Sequence, residues 1–169
     1  MNLANKLTIF RMALVPVFML IMLADFKYSL YAAALIFALA SFTDFLDGYI
    51  ARKYNMITNF GKLMDPLADK VLVSAALITM VETGMLSSWI PVIIISREFT
   101  ISIIRAIAAS SGVVIAASKW GKLKTISQIA AILLMLLGVP GGIYVMWLAA
   151  ILTVYSGYDY IRLNKSIIA

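Results

Sequence analysis

The chain has 169 residues, 63% of them hydrophobic and 13% charged, with 14 basic and 8 acidic side chains and a formal net charge of +6. Soluble domains are about 45–50% apolar and about 25% charged, so this composition argues against an ordinary soluble fold and asks for a membrane protein. Cysteine and histidine are both absent, which excludes disulfide scaffolds, thiolate chemistry and Ser-His-Asp arrangements, and leaves Asp, Glu, Lys, Arg, Tyr, Ser and Thr to carry any reaction.

Six apolar helices are expected in chain order. The first covers residues 7–24, with Pro16 as a kink, and a short turn follows at 25–28. Lys6 and Arg11 precede this stretch as they would in a signal peptide. No small-x-small cleavage site follows, and further apolar runs lie behind it, so a retained first membrane helix is expected. The second helix covers about 29–51 and leads, through a polar loop around 52–61, to the third at about 63–82, which Thr83 and Gly84 close. The fourth starts near 88–91 and reaches about 117. A basic loop at 119–125 precedes the fifth, at about 126–137. Gly138, Pro140, Gly141 and Gly142 mark a tight turn, and the sixth covers 143–161. No repeat, low-complexity tract or second domain interrupts this pattern. The expected fold is all-α, one polytopic membrane domain over residues 1–169 with six transmembrane helices.

An even number of spans puts both termini on one side. That side then holds Lys6, Arg11, Arg52, Lys53, Lys62, Lys119, Lys122, Lys124, Arg162 and Lys165, while the opposite turns hold only Lys27 as a basic residue. Lysine and arginine concentrate in cytoplasmic loops. Both termini and the polar clusters are therefore expected on the cytoplasmic face of a bacterial cell membrane. The basic residues read first as orientation signals and lipid contacts, and no nucleic-acid partner is expected.

Four aspartates fall within residues 44–69. Each ionised carboxylate placed inside a membrane costs about 2.5–3.5 kcal/mol on insertion scales, so something must compensate them. Positions 44, 47, 48 and 51 lie on one stripe of the second helix, and Asp65 and Asp69 share a face of the third. If the two faces meet, the carboxylates converge near the membrane boundary and suit hard divalent cations. Gly48 and Ala51 leave room for a ligand on the same stripe, and Gly61 permits a tight turn or a close approach to the backbone. Pro66 fits near a helix start better than deeper inside. The plainer reading, solvated aspartates capping helix ends, suits one such residue better than four at these intervals.

The full order is Asp44-x2-Asp47-Gly48-x2-Ala51-Arg52-x8-Gly61-x3-Asp65-x3-Asp69. It closely resembles the signature of the CDP-alcohol phosphatidyltransferases, and the six-helix layout is similar to that family over nearly the whole chain. The resemblance implies transfer of a phosphatidyl group from CDP-diacylglycerol to a small alcohol, with CMP leaving. It implies that Asp44, Asp47, Asp65 and Asp69 hold two divalent cations, Mg2+ or Mn2+. Asp47, Gly48, Ala51, Arg52 and Gly61 would bind the CDP-diacylglycerol headgroup, and Asp69 would act as general base on the acceptor hydroxyl. A homodimer among membrane lipids is also implied.

The polar residues elsewhere bear on the acceptor. The opening Asn2-Leu-Ala-Asn5-Lys6-Leu-Thr8-Ile-Phe-Arg11 with Pro16 resembles the branch of the family that uses glycerol 3-phosphate. So do Ser96-Arg97-Glu98-Phe99 with Arg105, Gly121-Lys122-Leu-Lys124-Thr125, and Ser156-Gly157-Tyr158-Asp159-Tyr160. The short turn at 25–28 departs from that branch, where it is often longer, but lies on the side opposite the site. A dianionic phosphate calls for Arg, Lys and hydroxyl donors, so Thr8, Arg11, Arg97, Arg105, Lys122 and Lys124 are the candidates for binding glycerol 3-phosphate. Against this, Glu98 and Arg105 are seven apart and could brace one helix face, and Lys122 and Lys124 could bind lipid headgroups or only set topology. Tyr158 and Tyr160 read as boundary packing, and Trp89, Trp120 and Trp147 as including interface anchors. Rival readings are a family member with phosphatidylglycerol, inositol phosphate or serine as acceptor, and a small cation transporter. The latter would not need the fixed Asp/Gly/Ala/Arg spacing.

Overall fold

The computed structural model describes residues 3–24, 26–53, 59–110 and 119–164. They form six α-helices: α1 (Leu3–Leu23), α2 (Ser29–Lys53), α3 (Asn59–Glu82), α4 (Trp89–Ser110), α5 (Lys119–Leu136) and α6 (Gly142–Leu163). The number and order match the apolar runs, and the differences are in the boundaries. The residues expected as a basic loop before the fifth helix are its first turns. Lysine and leucine are good helix formers, and Thr125 donates its hydroxyl proton to the Gly121 carbonyl at 3.1 Å within that same turn. Likewise α3 begins at Asn59, so Gly61 and Pro66 lie inside a helix rather than in a loop or at its start.

Tight connections set the alternation of direction. After α3, Gly84 adopts φ 72°, and the Met80 carbonyl accepts from the amides of Met85 and Leu86 at 2.9 and 3.1 Å. Between α5 and α6, Gly138 and Gly141 take φ 66° and 91°, left-handed values that cost a residue with a Cβ about 1–2 kcal/mol. The α1–α2 connection is closed by the Ser29 amide donating to Phe26 O at 3.0 Å.

α1 packs on α2 and α3, α6 on α4 and α5, and α2 and α3 reach across to α5. One buried cluster joins the two sides, with Phe18, Phe37, Leu72, Leu77, Met80, Ile90, Ile94, Ile132, Leu136 and Met146 among its members. The Phe18 and Phe37 rings meet at 5.9 Å between centroids. The outside is apolar, unlike that of a soluble bundle, and some polar groups are buried within the apolar core. Large apolar side chains such as Leu20, Leu35, Ile126, Ile151 and Leu163 cover the outside, while Thr8, Arg11, Lys124, Gln128, Thr153 and Ser156 are buried. Among the described residues, one helix is by itself long and apolar enough to cross a membrane, α1 over Asn5–Leu23. Others carry charge within their length: Arg97, Glu98 and Arg105 in α4, Lys122 and Lys124 in α5.

Gly142 shows how closely α5 and α6 approach. A Cβ there would lie 3.2 Å from the Met135 backbone nitrogen and 3.3 Å from the Leu134 carbonyl carbon. Replacing a helical glycine by alanine gains about 1 kcal/mol in propensity, whereas overpacking costs about 1–3 kcal/mol, and backbone atoms give way less readily than a side-chain tip. Gly142→Ala is therefore expected to lower the thermal midpoint of the detergent-solubilised protein, and a raised midpoint would contradict this packing.

Candidate active site

The polar residues gather at one end of the bundle because the helices alternate in direction. Asp44 and Asp47 lie late in α2, and Asp65 and Asp69 early in α3. Arg105 lies late in α4, Lys122 and Lys124 open α5, and Tyr160 is near the end of α6. Between α3, α4, α5 and α6 opens a cavity of about 460 Å³, and Asp69, Lys70, Arg97, Glu98, Ser102, Arg105, Lys122, Lys124, Thr125 and Tyr160 are in its wall. Five cations face two carboxylates there, an excess that suits a polyanionic ligand.

Glu98 organises the cationic side. It accepts from Lys124 Nζ and, at 3.2 Å, from Arg97 NH1. These side chains are largely buried, with 5% of Lys124, 12% of Arg97 and 17% of Glu98 exposed. The Glu98–Arg105 brace considered from the sequence is not the arrangement found. Lys124 reaches Glu98 from α5, and Arg105 turns to α6, where its Nε donates to the Tyr160 hydroxyl at 3.2 Å and its guanidinium lies 5.4 Å from the ring centroid. Arg97 NH2 donates to Ser156 Oγ at 2.8 Å. Lys70, next to Asp69, donates to Ser102 Oγ, and Ser102 donates in turn to the Glu98 carbonyl at 2.6 Å.

Thus Arg97, Arg105, Lys122 and Lys124 come together around one space with Asp69. Lys122 is exposed at the rim, and Lys124 is buried beneath it. Thr8 and Arg11 do not line this cavity. They form a buried stripe with Asn5 on α1, which packs on α2 and α3, the helices that carry the aspartates. The side chains of Asp44, Asp47, Gly48, Ala51, Arg52, Gly61 and Asp65 lie outside the described residues. Their backbones are helical, so the stripe 44-47-48-51 and the pair 65 and 69 keep the spacing expected of them, and α2 packs on α3. Among the described side chains, no group of three or more His, Cys, Asp or Glu converges. Four carboxylates on two packed helices, with no histidine or cysteine in the chain, fit an oxygen-coordinated cation such as Mg2+ or Mn2+ better than a softer metal.

Lys70, Ser102, Ser156 and Tyr160 acquire contacts that no site role was assigned from sequence. Tyr160 is buried against Arg105 rather than packing at the boundary, while Tyr158 is exposed. The readable sign was a polar stripe on an apolar helix, Thr153, Ser156, Gly157 and Tyr160, at helical intervals of three, one and three.

The sequence profile of CDP-alcohol phosphatidyltransferase matches residues 1–155. A CDP-diacylglycerol–glycerol-3-phosphate 3-phosphatidyltransferase of Bacillus subtilis (strain 168) is 44% identical, over 96% of this chain and 95% of that protein. Proteins of the same description from Rickettsia typhi (strain ATCC VR-144 / Wilmington) and Haemophilus influenzae (strain ATCC 51907 / DSM 11121 / KW20 / Rd) are 39% and 40% identical. The alignments cover 98% of this chain and 98% of the first, and 97% of this chain and 94% of the second.

Removing one partner of a buried ion pair is more costly than removing both, because the survivor stays desolvated. Glu98→Gln and Lys124→Met are expected to destabilise the protein separately, and the double variant to recover part of the loss, with a coupling of about 1–3 kcal/mol. Unfolding measurements in detergent that give additive effects would contradict the pairing.

Proposed function

The chain belongs to the CDP-alcohol phosphatidyltransferase family, and from that premise we propose how its cavity works. The protein transfers the phosphatidyl group of CDP-diacylglycerol to sn-glycerol 3-phosphate, giving phosphatidylglycerophosphate and CMP, a step of phospholipid biosynthesis. The observation that carries this reading at the level of residues is that Asp69 shares one cavity with Arg97, Arg105, Lys122 and Lys124. A base and an anion-binding wall in one space are what a phosphorylated alcohol needs as nucleophile.

In this reading Arg105 and Lys122, with Arg97 and Lys124 behind them, hold the acceptor phosphate. That anchorage directs the free primary hydroxyl toward α3. Asp69 takes the hydroxyl proton as the oxygen attacks the phosphatidyl phosphorus. The new phosphorus–oxygen bond forms as the bond to CMP breaks, and CMP leaves with the electron pair. Asp47, Gly48, Ala51, Arg52 and Gly61 bind the donor's cytidine diphosphate, and Thr8 and Arg11 close that side from α1. Asp44, Asp47, Asp65 and Asp69 would hold two divalent cations, Mg2+ or Mn2+, which when bound neutralise charge on the diphosphate oxygens.

The same reading puts all six helices across a bacterial cell membrane, with both termini and the cavity on the cytoplasmic side. Its support is the large apolar side chains on the outside of the bundle, together with the distribution of lysine and arginine along the chain. Trp89 and Trp120 sit at the starts of α4 and α5, where aromatic residues anchor helices at the interface. The donor lipid then enters from the bilayer, and the water-soluble acceptor from the cytoplasm.

The purified protein, given CDP-diacylglycerol and Mg2+, is expected to release CMP with glycerol 3-phosphate and not with serine, inositol phosphate or phosphatidylglycerol. Asp69→Asn is expected to lose at least about a hundredfold in turnover while still binding the donor lipid. Turnover near that of the parent would remove Asp69 from the role of base, and release with another acceptor would overturn the substrate assignment.

The absence of cysteine makes topology directly testable. In intact cells a membrane-impermeant maleimide is expected to label Tyr28→Cys, and to label Leu163→Cys only after permeabilisation. The reverse pattern, or labelling of both positions in intact cells, would refute the orientation.

A further inference from the structure

We propose that the α6 stripe formed by Ser156, Gly157 and Tyr160 is a positioning element that aims Arg97 and Arg105 at the acceptor phosphate. The proposal rests on the reading that these arginines bind that phosphate, and adds what holds them in place. An arginine beside an open cavity has many rotamers, and ordering it when the ligand arrives costs entropy. Both arginines are instead held from behind by one helix.

Tyr160 is 2% exposed, whereas Arg105 is exposed on the cavity. The phenol oxygen accepts the Arg105 Nε proton at 3.2 Å, and the ring lies 5.4 Å from the guanidinium carbon. Engaging Nε leaves NH1 and NH2, a two-nitrogen fork that matches two oxygens of a phosphate. Ser156, fully buried, directs its own proton toward the Thr153 carbonyl at 3.4 Å and so presents a lone pair to Arg97 NH2 at 2.8 Å. Gly157 lies under the arginine stem, and a Cβ there would come within 3.0 Å of Arg97 Cγ. A glycine inside a helix is less favourable than alanine, and the contact with Arg97 is a reason to have it there.

α6 is also tied to the lysine-bearing helix, since Gln128 of α5 donates to Thr153 Oγ1 at 2.8 Å with both residues buried. It therefore registers the cationic residues of α4 and α5 against each other without itself supplying one of the cavity's cations.

The test is steady-state kinetics of the full chain in detergent with Mg2+, for the parent, Tyr160→Phe, Gly157→Ala and Arg105→Lys. Tyr160→Phe keeps the ring and removes one acceptor, so a merely packing role would leave substrate affinities unmoved. Tyr160→Phe and Gly157→Ala are expected to raise KM for glycerol 3-phosphate about fivefold, with KM for CDP-diacylglycerol within about twofold of the parent. If Arg105→Lys raises the acceptor KM and neither α6 variant does, the positioning role is wrong and the acceptor site stands. If Arg105→Lys leaves the acceptor KM unchanged, the acceptor site itself is wrong, and the inference falls with it. Equal changes in both KM values for Tyr160→Phe would identify a general packing defect and overturn the proposal.

Discussion

A charged group inside an apolar bundle must be neutralised and hydrogen-bonded where it stands, and the structure depends on how Glu98 meets that constraint. One carboxylate on α4 serves Lys124 from α5 and Arg97 from the preceding position on its own helix. Breaking a buried pair by removing one member costs roughly 3–5 kcal/mol, a large share of the 5–15 kcal/mol by which native proteins are usually stable. The cavity can therefore keep an excess of cations without each being exposed to the full cost of burial. The excess suits an anionic ligand.

The remaining contacts follow from the same constraint. Hydroxyls and one phenol add neutral acceptors beside Glu98: Ser156 for Arg97 NH2, Tyr160 for Arg105 Nε and Ser102 for Lys70, while Arg97 Nε is buried without a hydrogen-bond partner among the described residues. None adds charge, so the wall is stiffened without weakening its potential. The two sides of the site also differ in origin. The proposed metal-binding aspartates come from α2 and α3, whereas most of the cavity's cations and its second carboxylate, Glu98, come from α4 and α5, with Asp69 and Lys70 adjacent on α3. That division suits a reaction in which one substrate brings a diphosphate and the other a phosphate and a hydroxyl.

Much of this was legible in the sequence because periodicity and charge are local properties. Six apolar runs gave six helices, and the aspartate spacing fell on helix faces as expected. A lysine-rich segment suits a loop and a helix terminus equally well in sequence, and the helix at 119–125 packs on α6 through Trp120 and Tyr155. Partner choice was illegible for a related reason. Glu98 lies seven residues from Arg105 along one helix, but its partner Lys124 lies twenty-six residues away, and sequence spacing alone does not reveal contacts between helices. Tyr160 is equally ambiguous in sequence, since nothing local distinguishes a tyrosine facing lipid from one under a guanidinium. The hydrophobic count favoured six spans, yet the charges that build the site reduce the apolar character of the helices that carry them.

In the proposed mechanism the acceptor sits in the cavity between α3, α4, α5 and α6. Thr125 lines that cavity, and Thr125→Cys places one thiol in a chain that otherwise has none. The direct measurement is the rate at which this thiol is alkylated as glycerol 3-phosphate is added. A saturable slowing is expected with glycerol 3-phosphate and none with glycerol, which lacks the phosphate. An alkylation rate that stays constant up to acceptor concentrations saturating turnover of the same variant would contradict it.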